Sequence, residues 1–362
     1  MKTRLLAASI ALILVGVTSA AFHNDDATSV RLAAPRRTTT STAPPTTTTT
    51  LPPPTTTTAP PPPPTTGVVV HAAAVPPPTT ALAPAPILRT NAPLVAGDPV
   101  AFAGFGSWVD VYDWSNEYTN NQPTVGPADV DRMASVGVQT LYIQATKQDS
   151  SSTITDPQLL HPMITRAHAD GMKVIAWYAP TLEDPALDLH RMLAMKSLGV
   201  EGIGVDIESR KVVDVAERNR RLVDLSIALR QHLPGTPIAA VVMPAVLLEV
   251  VNPNFWPGFP YRDIAPAYDA WMPMDYWTSR TDASGYRSSY RYTAENIDRL
   301  RAQLGNPNEP VHPVGGIGNA SSEADVDGFH RAAAERNAIG GSLYDYHTTG
   351  DALWPYLRAF RR

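Results

Sequence analysis

From residue 101 to the C-terminus, strand-like and helix-like segments alternate, and this alternation constrains the fold more than any other feature of the sequence. The strand-like segments are short apolar runs, and the longer segments between them carry apolar residues at helical spacing. Repeated βα units of this kind fold with parallel strands that are buried on both faces. Eight strands are predicted, over residues 103–111, 140–145, 172–178, 202–207, 238–243, 270–276, 311–317 and 341–346.

The length of the alternating region indicates which α/β fold these units build. It spans roughly 260 residues, close to the ~250 residues typical of a (βα)8 barrel. We therefore predict an α/β fold, a (βα)8 TIM barrel, over residues 99–362. A doubly wound open sheet is the alternative, but no G-x-G-x-x-G motif follows the first strand. Helices are predicted over residues 127–136, 157–169, 187–198, 212–233, 294–304, 323–337 and 352–360.

Two segments without globular character precede this domain. Lys2 and Arg4 lie before an apolar run over residues 5–17, and small residues follow it. This order predicts a signal peptide over residues 1–21, or an uncleaved signal anchor in the membrane. Residues 22–98 are rich in proline and threonine and lack the apolar residues that build a core, which predicts a disordered stalk. The barrel is therefore expected outside the cytoplasm, secreted or associated with the cell envelope.

Composition excludes several classes of function. The formal net charge is -5, whereas a nucleic-acid partner favours a basic surface. The chain has no cysteine, so it forms no disulfide, Cys-ligated zinc site or thiol nucleophile. No G-x-S-x-G motif is present, and no histidine spacing supports a metal site. We predict neither a cofactor nor a metal, and the sequence leaves the oligomeric state open.

The predicted fourth strand ends in two carboxylates. Asp206 and Glu208 are two residues apart, and side chains on a strand alternate between faces, so both point the same way. Two neighbouring carboxyl groups shift each other's pKa, which suits acid–base catalysis. The alternative is a structural strand end, in which Arg210 and Lys211 neutralise the pair.

Other polar and aromatic residues are predicted at the carboxyl ends of the strands, where TIM barrels carry their active sites. Carboxylates and flat aromatic rings suit the polar edges and apolar faces of sugars. The long connection over residues 244–269 leaves the same end of strand 5 and is also expected to be functional. The predicted substrate-binding residues are Trp108, Asp110, Tyr142, Gln144, Trp177, Met274, Asp275, Trp277 and Asp345.

Each of these residues has a structural alternative. A tryptophan or tyrosine on a strand is commonly a packing residue. Asp113 and Asp345 are candidates for capping the helices that follow them. A minor hypothesis gathers Asp110, Asp113 and His347 into the metal site of a hydrolase or deacetylase, although no spacing motif supports it.

The segment Glu201–Glu208 resembles the D-G-x-D-x-D-x-E motif of the family 18 glycoside hydrolases, the chitinase-like barrels. Glu208 aligns with the final glutamate of the motif and Asp206 with its last aspartate, while Glu201 and Gly204 replace the first and middle aspartates. Met274-Asp-Tyr276-Trp277 resembles the family's M-x-Y-D motif, with tryptophan in place of aspartate. The chain is also similar to exported bacterial barrels of the glycoside hydrolase type.

This resemblance implies roles for three residues. Glu208 would be the general acid, and Asp206 and Tyr276 would help the N-acetyl group of the substrate to act as the nucleophile. Predicted strand 7 ends without a carboxylate, which favours this substrate-assisted mechanism over a nucleophile from the protein. We expect an exported glycosidase acting on a cell-wall or N-acetylhexosamine-containing polysaccharide such as peptidoglycan. The alternative is a non-catalytic glycan-binding barrel attached to the cell envelope.

Overall fold

The computed structural model describes residues 89–362. The predicted signal segment, residues 1–21, and the predicted stalk up to residue 88 lie outside the described residues. Within the part that is described, no helix combines the length and the apolar character needed to cross a membrane.

Eight parallel strands form the centre of the domain. They are β1 (Gly104–Val109), β2 (Thr140–Gln144), β3 (Lys173–Tyr178), β4 (Gly202–Ile207), β5 (Ile238–Val242), β6 (Ala270–Pro273), β7 (Val314–Ile317) and β8 (Gly340–Tyr344). The order is β6-β5-β4-β3-β2-β1-β8-β7, so the first and last strands are neighbours. Two bridges, Trp271–Val311 and Met274–Val314, join β6 to β7 and close the ring. The predicted TIM barrel is confirmed. The open doubly wound sheet is excluded, because in such a sheet β1 and β8 would not pair with each other.

Helices cover the outside of the ring. The helices that follow the strands begin at residues that favour a helix start. Three of them have proline at their first position, and two others are preceded by a capping side chain, Asp214 or Ser288. They are α1 (Val111–Trp114), α2 (Asn116–Thr119), α3 (Pro127–Ser135), α4 (Pro157–Ala169), α5 (Pro185–Met195), α6 (Val215–His232), α7 (Tyr261–Ile264), α8 (Ser289–Leu304), α9 (Glu323–Glu335) and α10 (Trp354–Leu357).

Proline shortens two of the predicted strands. β6 ends at Pro273 and β7 begins only after Pro313, because proline has no N–H to donate to the sheet. The segment after β6 therefore turns away from the sheet and enters a 3-10 turn at Trp277–Ser279. This turn leaves Tyr276 at the mouth of the barrel, which is the end formed by the carboxyl termini of the strands.

The long connection after β5 is largely folded onto α6. It contains a π-helical turn, Leu247–Val251, and the short helix α7. The buried Trp256 donates from Nε1 to Asn219 Oδ1 at 2.6 Å, and the Arg218 guanidinium lies 4.3 Å from its ring centroid. The aromatic ring of Trp256 is therefore used for packing against α6.

Large side chains fill the interior of the ring below the mouth. Trp108 stacks on Tyr142 with ring centroids 4.5 Å apart, and the edge of Tyr142 faces His312. Gly106 makes this layer possible, because a Cβ at that position would lie 2.5 Å from the Tyr142 ring. A closely packed layer of mainly aromatic side chains therefore fills the barrel directly below the mouth.

Candidate active site

The two carboxylates of β4 lie at the mouth of the barrel, partly exposed. Asp206 Oδ1 is buried without a hydrogen-bond partner, and within residues 89–362 neither Asp206 nor Glu208 forms an ion pair. Burial raises the pKa of Glu208, and burial together with the charge of Glu208 raises the pKa of Asp206 well above its ordinary value. Because the two carboxylates would repel each other when both are ionised, the pair releases its last proton less readily than an isolated carboxyl group does.

The cations that follow β4 do not neutralise this pair. Lys211 Nζ lies 3.2 Å from Glu183 Oε2, and the Arg210 guanidinium lies 4.7 Å from the centroid of the Phe255 ring. The alternative of a salt-bridged strand end is therefore not what the structure has, and the acidic pair faces the mouth without compensation.

Tyr276 faces the carboxylates from the β6 side. Its ring is half-buried, and burial together with the charges of Asp206 and Glu208 raises the pKa of its hydroxyl well above the ordinary value. The hydroxyl therefore stays protonated. No group in residues 89–362 accepts a hydrogen bond from it, so it can donate to a ligand.

Asp110 and Tyr344 form a hydrogen-bonded pair on the opposite side of the mouth. Asp110 caps α1, where its Oδ1 accepts from Tyr112 N at 2.8 Å, and its Oδ2 accepts from the Tyr344 hydroxyl at 2.7 Å. Burial and the charge of Asp345 raise the pKa of Asp110 to about 6. The Tyr344 ring centroid lies 5.9 Å from that of Tyr276, so the pair borders Tyr276.

Three buried carboxyl groups cluster behind this pair. One carboxylate oxygen from each of Asp110, Asp113 and Asp345 lies within 4.8 Å of the other two. Burial, with the charges of its two neighbours, raises the pKa of Asp113 to about 9. Asp345 Oδ1 accepts from Thr348 N at 2.9 Å and closes a turn, whereas Asp113 Oδ2 has no partner. Neither residue caps a helix, because Asp113 lies inside α1 and no helix begins directly after Asp345. The three carboxyl groups are close enough to supply ligands to a cation, and the raised pKa of Asp113 shows how unfavourable a second or third negative charge is here.

His347 contributes little to the metal hypothesis. Its Nδ1 lies 4.0 Å from Asp113 Oδ1, which is too long for a hydrogen bond, and the residue is exposed. The residues that could supply ligands to a hard cation are Asp110, Asp113 and Asp345. This set contains Asp345 in place of the His347 of the metal hypothesis.

Several of the predicted substrate-binding residues pack in the core. Tyr142 and Trp277 have no exposed surface, and Trp277 packs on Phe329 of α9. Gln144 accepts from Val111 N at 3.2 Å and so supports the start of α1. Those that keep a small exposed fraction, 5% or less, are Trp108, Gln144, Trp177 and Met274.

Asp275 is not brought to the mouth. Met274 and Tyr276 share one face of the chain, whereas Asp275 points to α8 and is fully buried beside Thr293 and Asn296. Burial raises its pKa well above the ordinary value. Alternation along an extended chain gives the physical reason, because neighbouring residues face opposite sides.

Tyr344 lies at the mouth although it is not among the predicted site residues. Its position at the end of β8 is the same sequence signal that selects Asp345. The partner of its hydroxyl, Asp110, is 234 positions away in the sequence, and only the closed ring brings the two residues together.

Trp177 also occupies an unexpected place: a Cβ at position 204 would lie 3.0 Å from the Trp177 Cβ. Trp177 thus fills the space next to Gly204, where the family motif has an aspartate.

Comparisons with known proteins give matches to solved structures alone: no protein-family model matches the chain, and no curated protein is similar to it in sequence. A chitinase from Chromobacterium violaceum matches with a TM-score of 0.50 and 12% identity, over 71% of this chain and 99% of that chain. A GH18 chitinase from Cycas revoluta, in complex with (GlcNAc)4, matches with a TM-score of 0.53 and 10% identity, over 71% and 99%.

A spore cortex-lytic enzyme, SleL of Bacillus megaterium, is similar to the same part of the chain. The TM-score is 0.50 and the identity 9%, over 72% of this chain and 74% of that enzyme. Identities this low establish a common architecture and nothing finer. The domain therefore has the TIM-barrel fold of the family 18 chitinases.

Proposed function

We propose that the protein is an exported glycoside hydrolase that cleaves GlcNAc-containing glycans of the cell wall. The observation that carries this proposal is the unpaired Asp206–Glu208 carboxyl pair at the mouth, facing the Tyr276 hydroxyl, with burial raising the pKa of both carboxyl groups. A carboxyl group that stays protonated at neutral pH can act as a general acid. The structural neighbours include enzymes whose names refer to chitin or to the spore cortex, which supports the choice of glycan.

In the proposed reaction Glu208 gives its proton to the glycosidic oxygen as the bond to C1 breaks. The carbonyl oxygen of the substrate's N-acetyl group attacks C1 from the opposite side, so the leaving sugar departs as an alcohol. Asp206 stabilises the positive charge that develops on the amide, and Tyr276 donates a hydrogen bond to the same group. Water then attacks C1 and gives a proton to Glu208, which restores the acid and the N-acetyl group.

Glu208→Gln tests the acid. The amide cannot donate a proton to the leaving oxygen, and loss of a general acid costs ~10²-fold or more in rate. Release of reducing ends from (GlcNAc)4 and from peptidoglycan is the measurement. Glu183→Gln is the matched control, because Glu183 lies nearby but is exposed and paired with Lys211. Near wild-type turnover by Glu208→Gln would remove Glu208 from the acid role.

Glycan binding without catalysis is the second candidate. Two observations favour it: Trp177 fills the space beside Gly204, and the buried Trp277 replaces an aspartate of the family motif. A barrel of this kind would bind (GlcNAc)4 without releasing reducing ends. Detectable turnover by the wild-type protein would eliminate this candidate.

Export is proposed from the sequence of residues 1–21. Fractionation of cells that produce the full chain is the test, with the protein expected in the medium or in the envelope fraction. Recovery in the cytoplasmic fraction would contradict export.

A further inference from the structure

The proposed reaction leaves one ordered pair at the mouth without a role. Asp110 follows β1, Tyr344 ends β8, and their 2.7 Å hydrogen bond spans the pairing of the first and last strands. Asp110 is 7% exposed, whereas Tyr344 is only half-buried, so the tyrosine is the member that a ligand can reach. The Tyr276 ring lies 5.9 Å away between centroids, which puts the pair beside the proposed catalytic groups.

The hydrogen bonds of this pair fix the polarity of the Tyr344 hydroxyl. A tyrosine hydroxyl has one hydrogen and two lone pairs, and an ionised carboxylate only accepts. Asp110 Oδ1 accepts from the backbone N–H of Tyr112, and Oδ2 takes the hydrogen of Tyr344. What the hydroxyl presents to the mouth is therefore a lone pair. Tyr276 has the opposite polarity, because no group in residues 89–362 accepts its hydrogen.

We propose that Tyr344 is a substrate-binding residue that accepts a hydrogen bond from an O–H or N–H group of the bound sugar, and that Asp110 is the positioning residue that keeps it an acceptor. This inference rests on the proposed function, since it assumes that a GlcNAc glycan occupies the mouth. The bound sugar must therefore present a hydrogen-bond donor to Tyr344. Next to that donor it must present a hydrogen-bond acceptor to Tyr276.

Asp110→Asn tests the polarity with little change of shape. The amide oxygen must stay towards Tyr112 N, because two N–H groups would otherwise face each other at the helix cap. The NH₂ group then points at Tyr344, whose hydroxyl becomes the acceptor of that bond and turns its hydrogen towards the mouth. The substitution thus converts Tyr344 from an acceptor into a donor for the ligand.

Binding of (GlcNAc)4 is measured calorimetrically in the Glu208→Gln protein, which holds the ligand without turnover. We expect Tyr344→Phe and Asp110→Asn each to weaken binding by roughly 5–10-fold, the worth of one net hydrogen bond. Asp110→Asn combined with Tyr344→Phe is expected to bind no more weakly than Tyr344→Phe alone, because Asp110 acts through Tyr344.

Tyr346→Phe is the matched control. Tyr346 is also half-buried after β8, and its hydroxyl also donates to an aspartate, Asp129 Oδ1, at 2.9 Å. Its removal should leave affinity unchanged. If Asp110→Asn does not fold, the comparison of Tyr344→Phe with Tyr346→Phe decides the question.

Two results would overturn the proposal while leaving the glycosidase intact. One is that Tyr344→Phe binds (GlcNAc)4 as tightly as the Glu208→Gln protein that carries no further substitution. The other is that the losses of binding free energy caused by Asp110→Asn and by Tyr344→Phe add fully in the double variant. If wild-type protein does not cleave (GlcNAc)4 and the Glu208→Gln protein does not bind it, the proposed function fails and the role of Tyr344 falls with it.

Discussion

At the scale of single residues, buried carboxyl groups determine the chemistry of the mouth. Asp110, Asp113 and Asp345 have raised pKa values, chiefly because burial disfavours the charged form. For Asp110 and Asp113, repulsion from neighbouring carboxylates adds to the rise. The Asp206–Glu208 pair follows the same rule. Asp113, with a pKa raised to about 9, therefore keeps its proton at neutral pH, whereas Asp110, with a pKa of about 6, is mostly ionised there.

Asp113→Asn is predicted to flatten the dependence of stability on pH. The pKa of Asp113 is raised to about 9, so between about pH 4 and pH 9 the folded protein keeps a proton that the unfolded chain releases. The free energy of unfolding therefore falls as pH rises through this window. Asparagine mimics the protonated acid, so at pH 8 the variant should be more stable than wild type by at least ~1.4 kcal/mol, the worth of one pKa unit.

Urea unfolding at pH 5 and pH 8, in the presence of a chelator, measures this effect. Asp327→Asn, at an exposed position on α9, is the control and should leave the pH dependence unchanged. Equal pH dependence in wild type and Asp113→Asn would contradict proton storage. Destabilisation of the variant that appears only when Ca²⁺ or Mg²⁺ is added would instead indicate a cation held by the cluster.

At the scale of elements, the packing of β3 against β4 decides which carboxylates the site can have. Gly204 pairs with Trp177 across the two strands, and Trp177 takes the space that a side chain at 204 would need. β4 runs from Gly202 to Ile207 as the sequence predicts, because its apolar run is bounded by clear signals. The end of β6 and the start of β7 are harder to predict, since proline removes sheet hydrogen bonds without changing the apolar pattern.

Gly204→Ala is predicted to destabilise the barrel. The added Cβ would meet the Cβ of Trp177 at 3.0 Å, and that atom is fixed to the β3 backbone, so a strand must shift. Overpacking of this kind costs about 1–3 kcal/mol. Urea unfolding is the measurement, with Gly350→Ala as the control, because a Cβ at Gly350 meets nothing within 4 Å. Unchanged stability of Gly204→Ala would show that β3 and β4 are not packed so closely.

At the scale of the whole molecule, closure of the ring brings residues from both ends of the domain to one mouth. The alternation of segments was sufficient to predict this architecture, and the strand ends were sufficient to select Asp206, Glu208, Tyr276 and Asp110. The sequence could not show which side of the chain each residue faces once a strand has ended. Asp275 and Trp277 therefore point away from the mouth, and Tyr344 points towards it.

The rate at which the wild-type protein cleaves (GlcNAc)4, compared with the rate for the matching glucosamine tetramer, tests the central claim most directly. Glu208 supplies the proton in our account, but the N-acetyl group of the substrate supplies the nucleophile. We therefore predict hydrolysis of the acetylated tetramer and a rate for the glucosamine tetramer at least ~10²-fold lower. Equal rates for the two tetramers, or no cleavage of either, would contradict the account.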